Sequence, residues 1–290
     1  MKKSRKLATL GICSALFLGL AACQQQHATS EGTNQRQSSS AKVPWKASYT
    51  NLNNQVSTEE VKSLLSAHLD PNSVDAFFNL VNDYNTIVGS TGLSGDFTSF
   101  THTEYDVEKI SHLWNQKKGD FVGTNCRINS YCILKNSVTI PKLEKNDQLL
   151  FLDNDAIDKG KVFDSQDKEE FDILFSRVPT EATTDVKVHA EKMETFFSQF
   201  QFNEKARMLS VVLHDNLDGE YLFVGHVGVL VPADDGFLFV EKLTFEEPYQ
   251  AIKFASKEDC YKYLGTKYAD YTGEGLAKPF IMDNDKWVKL

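Results

Sequence analysis

Tyr221-Leu222-Phe223-Val224-Gly225-His226-Val227-Gly228-Val229-Leu230-Val231 is a β-rich run bounded by turn residues, with Asp215-Asn216-Leu217-Asp218-Gly219 before it and Pro232-Ala233-Asp234-Asp235-Gly236 after it. Residues 208–213 on one side and 237–241 on the other have the same apolar, β-branched and aromatic character. Two short turns joining three such runs predict three successive antiparallel strands.

Upstream of residue 208 the period changes from strand to helix. Ser57-Thr58-Glu59-Glu60 reads as a capping box, and Val61, Leu64, Leu65 and Leu69 recur at helical spacing, predicting a helix over 58–69. Asp70-Pro71 starts a second helix, whose stripe of Val74, Phe77, Phe78, Val81 and Tyr84 runs to the break at Gly89. A third covers 107–117, with Ile110, Leu113 and Trp114 on one face and Gly119 as the stop. Asn125 is an N-cap placed directly before Cys126, which puts that thiol in the first turn of a fourth helix. A fifth runs over 186–200 and carries Val188, Met193, Phe196, Phe197 and Phe200. Residues 149–152 and 171–178 read as short strands. Helices first and strands afterwards predict an α+β domain over 49–290, with the N-terminal helices packed on one face of a C-terminal antiparallel sheet.

The N-terminus carries a different message. Lys2, Lys3, Arg5 and Lys6 precede an apolar run over 7–20 that ends in Leu20-Ala21-Ala22-Cys23, which resembles the lipoprotein form of a bacterial export signal. The resemblance implies a signal peptide over 1–22, lipidation of Cys23 as the mature N-terminus, and residence on the extracellular face of the cell membrane. The competing readings are an ordinary secretory signal with an incidental Cys23, and an uncleaved short helix. The apolar run falls short of the ~18 residues that argue a membrane span. Residues 23–48 are rich in Gln, Ser, Thr, Asn and Ala and read as a flexible tether. Losing residues 1–22 removes four cations and takes the net charge from −9 to −13, which disfavours nucleic acid and other extended polyanions as partners.

A cysteine in the first turn of a helix feels the positive end of the macrodipole, and Arg127 adds a neighbouring cation; both favour the thiolate. His226, flanked by Gly225 and Gly228, is the candidate general base, the small neighbours leaving room for another backbone or a substrate. Glu241 is the carboxylate in the following apolar run and the candidate to orient the imidazole, provided the hairpin register turns it toward His226. The backbone amide of Cys126 and the Asn125 side chain are candidate oxyanion donors.

Cysteine at a helix start, histidine on a strand and a polar residue on the next strand resemble the papain-like cysteine hydrolases of the bacterial envelope, in particular the NlpC type, over 120–135 and 221–245. Those proteins commonly carry Asp-Cys where this chain has Asn125-Cys126, and often His, Asn or Gln where it has Glu241. Tyr49-Thr50-Asn51-Leu52, Gly123-Thr124-Asn125-Cys126-Arg127, Phe239-Val240-Glu241-Lys242 and Pro248-Tyr249-Gln250 are similar to an uncharacterised family of Gram-positive lipoproteins, domain of unknown function 4300. Together the resemblances imply a papain-like core and a membrane-anchored cysteine amidohydrolase or peptidase acting on cell-wall peptide. The alternatives are a non-catalytic surface lipoprotein that binds a ligand or peptide, and a structural envelope protein.

With Cys23 lipidated, Cys126, Cys132 and Cys260 form an odd set in the folded body, so at least one is free unless pairing is intermolecular. A bridge from Cys260 to Cys132 leaves Cys126 reactive; a bridge from Cys260 to Cys126 abolishes the nucleophile. The sequence holds no Cys-x-x-Cys or His-Glu-x-x-His, so neither a metal nor a cofactor is expected. Asp153, Asp155 and Asp158 lack the glycine and terminal glutamate of a calcium loop and are assigned to a solvated turn.

Overall fold

The computed structural model describes residues 46–101 and 103–290, which lie in one compact unit, Ala41–Leu290. The expected signal peptide, Cys23 and the tether up to residue 45 lie outside the described residues, as does His102. Along the chain the elements are β1 (Ala47–Thr50), α1 (Gln55–Ser66), α2 (Pro71–Val88), β2 (Thr98–Ser99), α3 (Val107–Lys118), α4 (Cys126–Leu134), β3 (Val138–Thr139), α5 (Phe151–Gly160) and α6 (Ser165–Leu174). Then follow β4 (Val178–Pro179), α7 (Val186–Phe197), β5 (Gln201–Phe202), β6 (Arg207–Asp215), β7 (Tyr221–Ala233), β8 (Gly236–Lys242), β9 (Tyr249–Phe254), α8 (Lys257–Lys267), β10 (Phe280–Asp283) and β11 (Lys286–Val288).

The run 221–231 lies within β7, a strand in the interior of an antiparallel sheet ordered β11-β10-β6-β7-β8-β9-β1-β2, with β4 paired to one end of β7. The three predicted strands are β6, β7 and β8, and the α+β architecture is as expected. The sheet is covered on both faces, however. Val227, Val229 and Val231 belong to a core shared with α1, α2, α4, α6 and α7. Leu209, Val211, Leu230 and Phe239 belong to a second core with Cys260, Tyr261 and Leu264 of α8. The reason is legible in Val229-Leu230-Val231, which is apolar without alternation, as a strand buried on both sides requires.

Local corrections have local causes. Helix α1 starts at Gln55 because Asn54 is the cap, its side chain accepting from the Ser57 N–H; Glu60 pairs instead with Lys253 on β9. Strand β1 begins at Ala47, inside the expected tether, because its backbone pairs with β9. Helix α7 ends at Phe197, short of the expected 200. The two strands expected at 149–152 and 171–178 are mostly helical: Leu150, Ala156 and Ile157 form the buried stripe of one turn and α5, and Asp164 caps α6 by accepting from the Gln166 and Asp167 N–H groups. Among the described residues no helix is long and apolar enough to cross a membrane.

Candidate active site

Helix α4 packs against β7 and β8, and its first turn reaches β7 through Arg127, which donates to the Val224 carbonyl. Asn125 is its N-cap, with Oδ1 accepting from the Ile128 N–H at 3.1 Å, so Cys126 occupies the first helical position. The N–H at that position has no acceptor within the helix.

On β7, His226 sits beside a β-bulge: Val211 pairs with His226 while Val212 pairs with Val224, leaving Gly225 as the extra residue. A bulge bends its strand and re-aims the neighbouring side chain. The cysteine thiol and the imidazole lie close enough for each to shift the other's ionisation. Register brings up the third residue. Val229 lies opposite Val240, so Glu241 stands diagonally across from His226 on the same face, and His226 Nε2 donates to Glu241 Oε2 at 2.5 Å. With Nε2 held by Glu241, Nδ1 is the ring nitrogen left for the thiol.

The two glycines serve packing. A Cβ on Gly225 would overlap the Leu213 side chain; one on Gly228 would overlap the Phe239 ring and stand 2.7 Å from the Val240 carbonyl oxygen. The space expected for a substrate is thus filled by the protein's own side chains. The dyad itself is closed in: Cys126 is 3% and His226 2% exposed, and the Tyr268 ring stacks on the imidazole at 4.9 Å. Cavities of about 360 Å³ beside Gly265 and Leu290 and of about 150 Å³ beside Trp114 and Phe245 are lined by neither residue.

Electrostatically the pair is biased toward thiolate and imidazolium. Burial pushes the Cys126 thiol up, but the adjacent His226 and Arg127 outweigh it and leave the thiol below its ordinary value. Burial pulls His226 down, and the thiol and Glu241 more than restore it, so the imidazole lies above its ordinary value. Glu241 is held down to about 2 against its own burial by Lys267, His226 and Tyr263. Cys132 is pushed up to about 12 by burial, and burial raises Cys260 well above the ordinary range. Cys126, Cys132 and Cys260, the cysteines among the described residues, are free, so neither bridge considered from the sequence is formed.

Three groups around the site escaped the sequence reading. Tyr263 on α8 donates to Glu241 Oε1 at 2.5 Å, and Lys267, one turn on, lies 3.6 Å from the same oxygen and 2.8 Å from the Tyr263 hydroxyl. The available signal was Ser256-x-x-Asp259, a helix start in which Ser256 caps Asp259. Asp153, expected on a solvated turn, is a fully buried residue of α5. Its Oδ1 accepts from Asn125 Nδ2 at 2.7 Å and Arg127 Nε at 2.9 Å, and its Oδ2 from Arg127 Nη2 at 2.7 Å. Asp155 and Asp158 are exposed and pair with Lys159 and Lys168. Among the described residues no three His, Cys, Asp or Glu side chains are grouped to hold a metal ion.

The short segments that carry the family resemblance converge here. Asn51 donates to the Tyr249 carbonyl at 2.8 Å and to the Tyr105 hydroxyl at 2.9 Å, Gln250 donates to that same hydroxyl, and the Tyr249 hydroxyl donates to Asn129 of α4 at 3.0 Å. Lys242, fully buried, donates to the carbonyls of Thr244, Phe245 and Glu247 and lies 4.2 Å from the Tyr84 ring centroid. No curated protein and no solved structure matches the chain. A family match covers residues 48–288, taking in the whole thiol–imidazole–carboxylate arrangement, and by that match the chain belongs to the family described as Domain of unknown function (DUF4300).

Proposed function

We propose that this protein is a thiol-dependent amidohydrolase, anchored to the outer face of the cell membrane through Cys23 and acting on cell-wall peptide. The observation that carries the reading is the continuous chain Cys126–His226–Glu241, in which the thiol is lowered and the imidazole raised from their ordinary values. The Cys126 thiolate attacks the carbonyl carbon of an amide. The His226 imidazolium gives its proton to the departing nitrogen, and a thioester forms on Cys126. Water, deprotonated by His226, then attacks the thioester; the acid is released and the thiol restored. Glu241 holds the ring and balances its charge during both steps.

Oxyanion stabilisation falls to the Cys126 backbone N–H at the helix start. The Asn125 carboxamide is already committed to Ile128 and Asp153, which leaves the second hydrogen of Nδ2 as its contribution. The tether makes peptidoglycan stem peptide the nearest amide substrate. A second reading, a non-catalytic surface lipoprotein, is favoured by the closure of the dyad, since Cys126 and His226 are both buried and the Tyr268 ring stacks on the imidazole.

Alkylation by iodoacetamide between pH 5 and 9, followed by peptide mass spectrometry, separates the two. The hydrolase reading expects Cys126 to react selectively, with a midpoint below that of an ordinary thiol, and His226→Ala to move the midpoint upward. Equal reactivity in that variant would remove the support for the dyad and favour the non-catalytic reading.

A further inference from the structure

We infer that Asp153 is a positioning residue of the thiol site, gripping with one carboxylate the two residues that flank Cys126 and fixing the first turn of α4 against the strand that bears His226. The inference rests on the reading of Cys126 and His226 as a reactive pair. Oδ1 of Asp153 receives both Asn125 Nδ2 and Arg127 Nε, and Oδ2 receives Arg127 Nη2. The remaining arm of the guanidinium, Nη1, donates at 2.9 Å to the carbonyl of Val224, two residues before His226 on β7. Only the Arg fork can span this geometry, because it offers parallel donors to the carboxylate and another to the strand.

The burial of Asp153 argues the same way. This fully buried carboxylate is held by Arg127 in the first turn of α4 and by Asn125, the cap before it, so its position and that of the thiol are set together. A carboxylate near a thiol also acts through charge, and in the opposite sense: its negative field opposes thiolate formation. Charge and position therefore make contrary predictions. If Asp153 acts only by its field, Asp153→Asn lowers the alkylation midpoint of Cys126. If it acts by position, the loosened first turn weakens the thiol–imidazole contact, and the midpoint rises.

The test is the pH profile of Cys126 alkylation in the full chain bearing Asp153→Asn, with folding checked by circular dichroism. The expected result is an upward shift of the midpoint and a rate at pH 7 reduced roughly ten- to a hundredfold, the scale of a small misplacement of reacting groups. Arg127→Lys keeps the cation but loses the fork, so it reports on position with the charge preserved, and it is expected to shift the midpoint the same way. A midpoint that falls or stays in place in Asp153→Asn, or an unshifted midpoint in folded Arg127→Lys should Asp153→Asn not fold, overturns the inference. His226→Ala keeps the two levels apart. Labelling indifferent to His226 overturns the dyad and the inference with it; labelling that depends on His226 but ignores Asp153 and Arg127 overturns the inference alone.

Discussion

Among the described residues a cysteine stands in three settings, and one of the three is a reactive candidate. Cys132 and Cys260 have no imidazole beside them among the described residues and are raised by burial; Cys126, equally buried, is lowered because His226 and Arg127 stand beside it. Glu241 shows what holds that imbalance in place. Its two oxygens separate the tasks, Oε2 taking the imidazole and Oε1 taking Tyr263 and Lys267. Because its carboxyl is depressed from 4.5 to about 2, it adds stability that is present above pH 4.5 and is lost as pH falls through about 2. At 1.36 kcal/mol per pH unit this comes to about 3 kcal/mol. Glu241→Gln should therefore be less stable than the parent at pH 7, with the difference shrinking between pH 4.5 and 2, as followed by urea unfolding across that range. A constant difference would place the effect in packing instead of charge.

Elements meet at this site because the strands are irregular where it forms. The bulge at Gly225 re-aims His226, and Gly228 lets the Phe239 ring cross β7 closely enough for β8 to bring Glu241 alongside. Gly228→Ala forces the ring or the Val240 carbonyl to move and is expected to cost about 1–3 kcal/mol, as overpacking does in a filled core. Urea midpoints measure it, and an unchanged midpoint contradicts this account of the crossing. Helix α8 supplies Tyr263 and Lys267 from the second face of the sheet, and Tyr268, just past its end, stacks on the imidazole, so the site is built from both layers.

Across the whole molecule, stability comes from two apolar cores and a long antiparallel sheet, with no covalent bridge among the described residues. Unfolding of the folded body is accordingly expected to be indifferent to reductant, and a thermal midpoint that drops on adding dithiothreitol would reveal a disulfide. Lys242 is a fully buried cation within the sheet. Burial pulls its amine down to about 7, and its three carbonyl acceptors lie in the turn between β8 and β9. That turn leads into Pro248-Tyr249-Gln250, whose tyrosine hydroxyl reaches α4, so the buried amine closes the loop that ties the sheet to the thiol helix.

Several features were readable from the chain because they depend on local chemistry. Asn125 before Cys126 specifies a cap, Asp70-Pro71 a helix start, and the β-rich run at 221–231 a strand; the apolar continuity of 229–231 also carries burial on both faces. Cys126, His226 and Glu241 could be chosen as candidates by residue type and element, while their meeting depended on a register and a bulge that no local pattern specifies. Asp153 shows the limit most plainly. In sequence it is one of three acids in a polar stretch, and only tertiary packing distinguishes it, burying it against Asn125 and Arg127 while Asp155 and Asp158 stay in solvent. The sequence by itself determined the elements and the types of reactive group. The tertiary structure decided which groups touch and which are closed to solvent, because those depend on contacts between segments far apart in the chain.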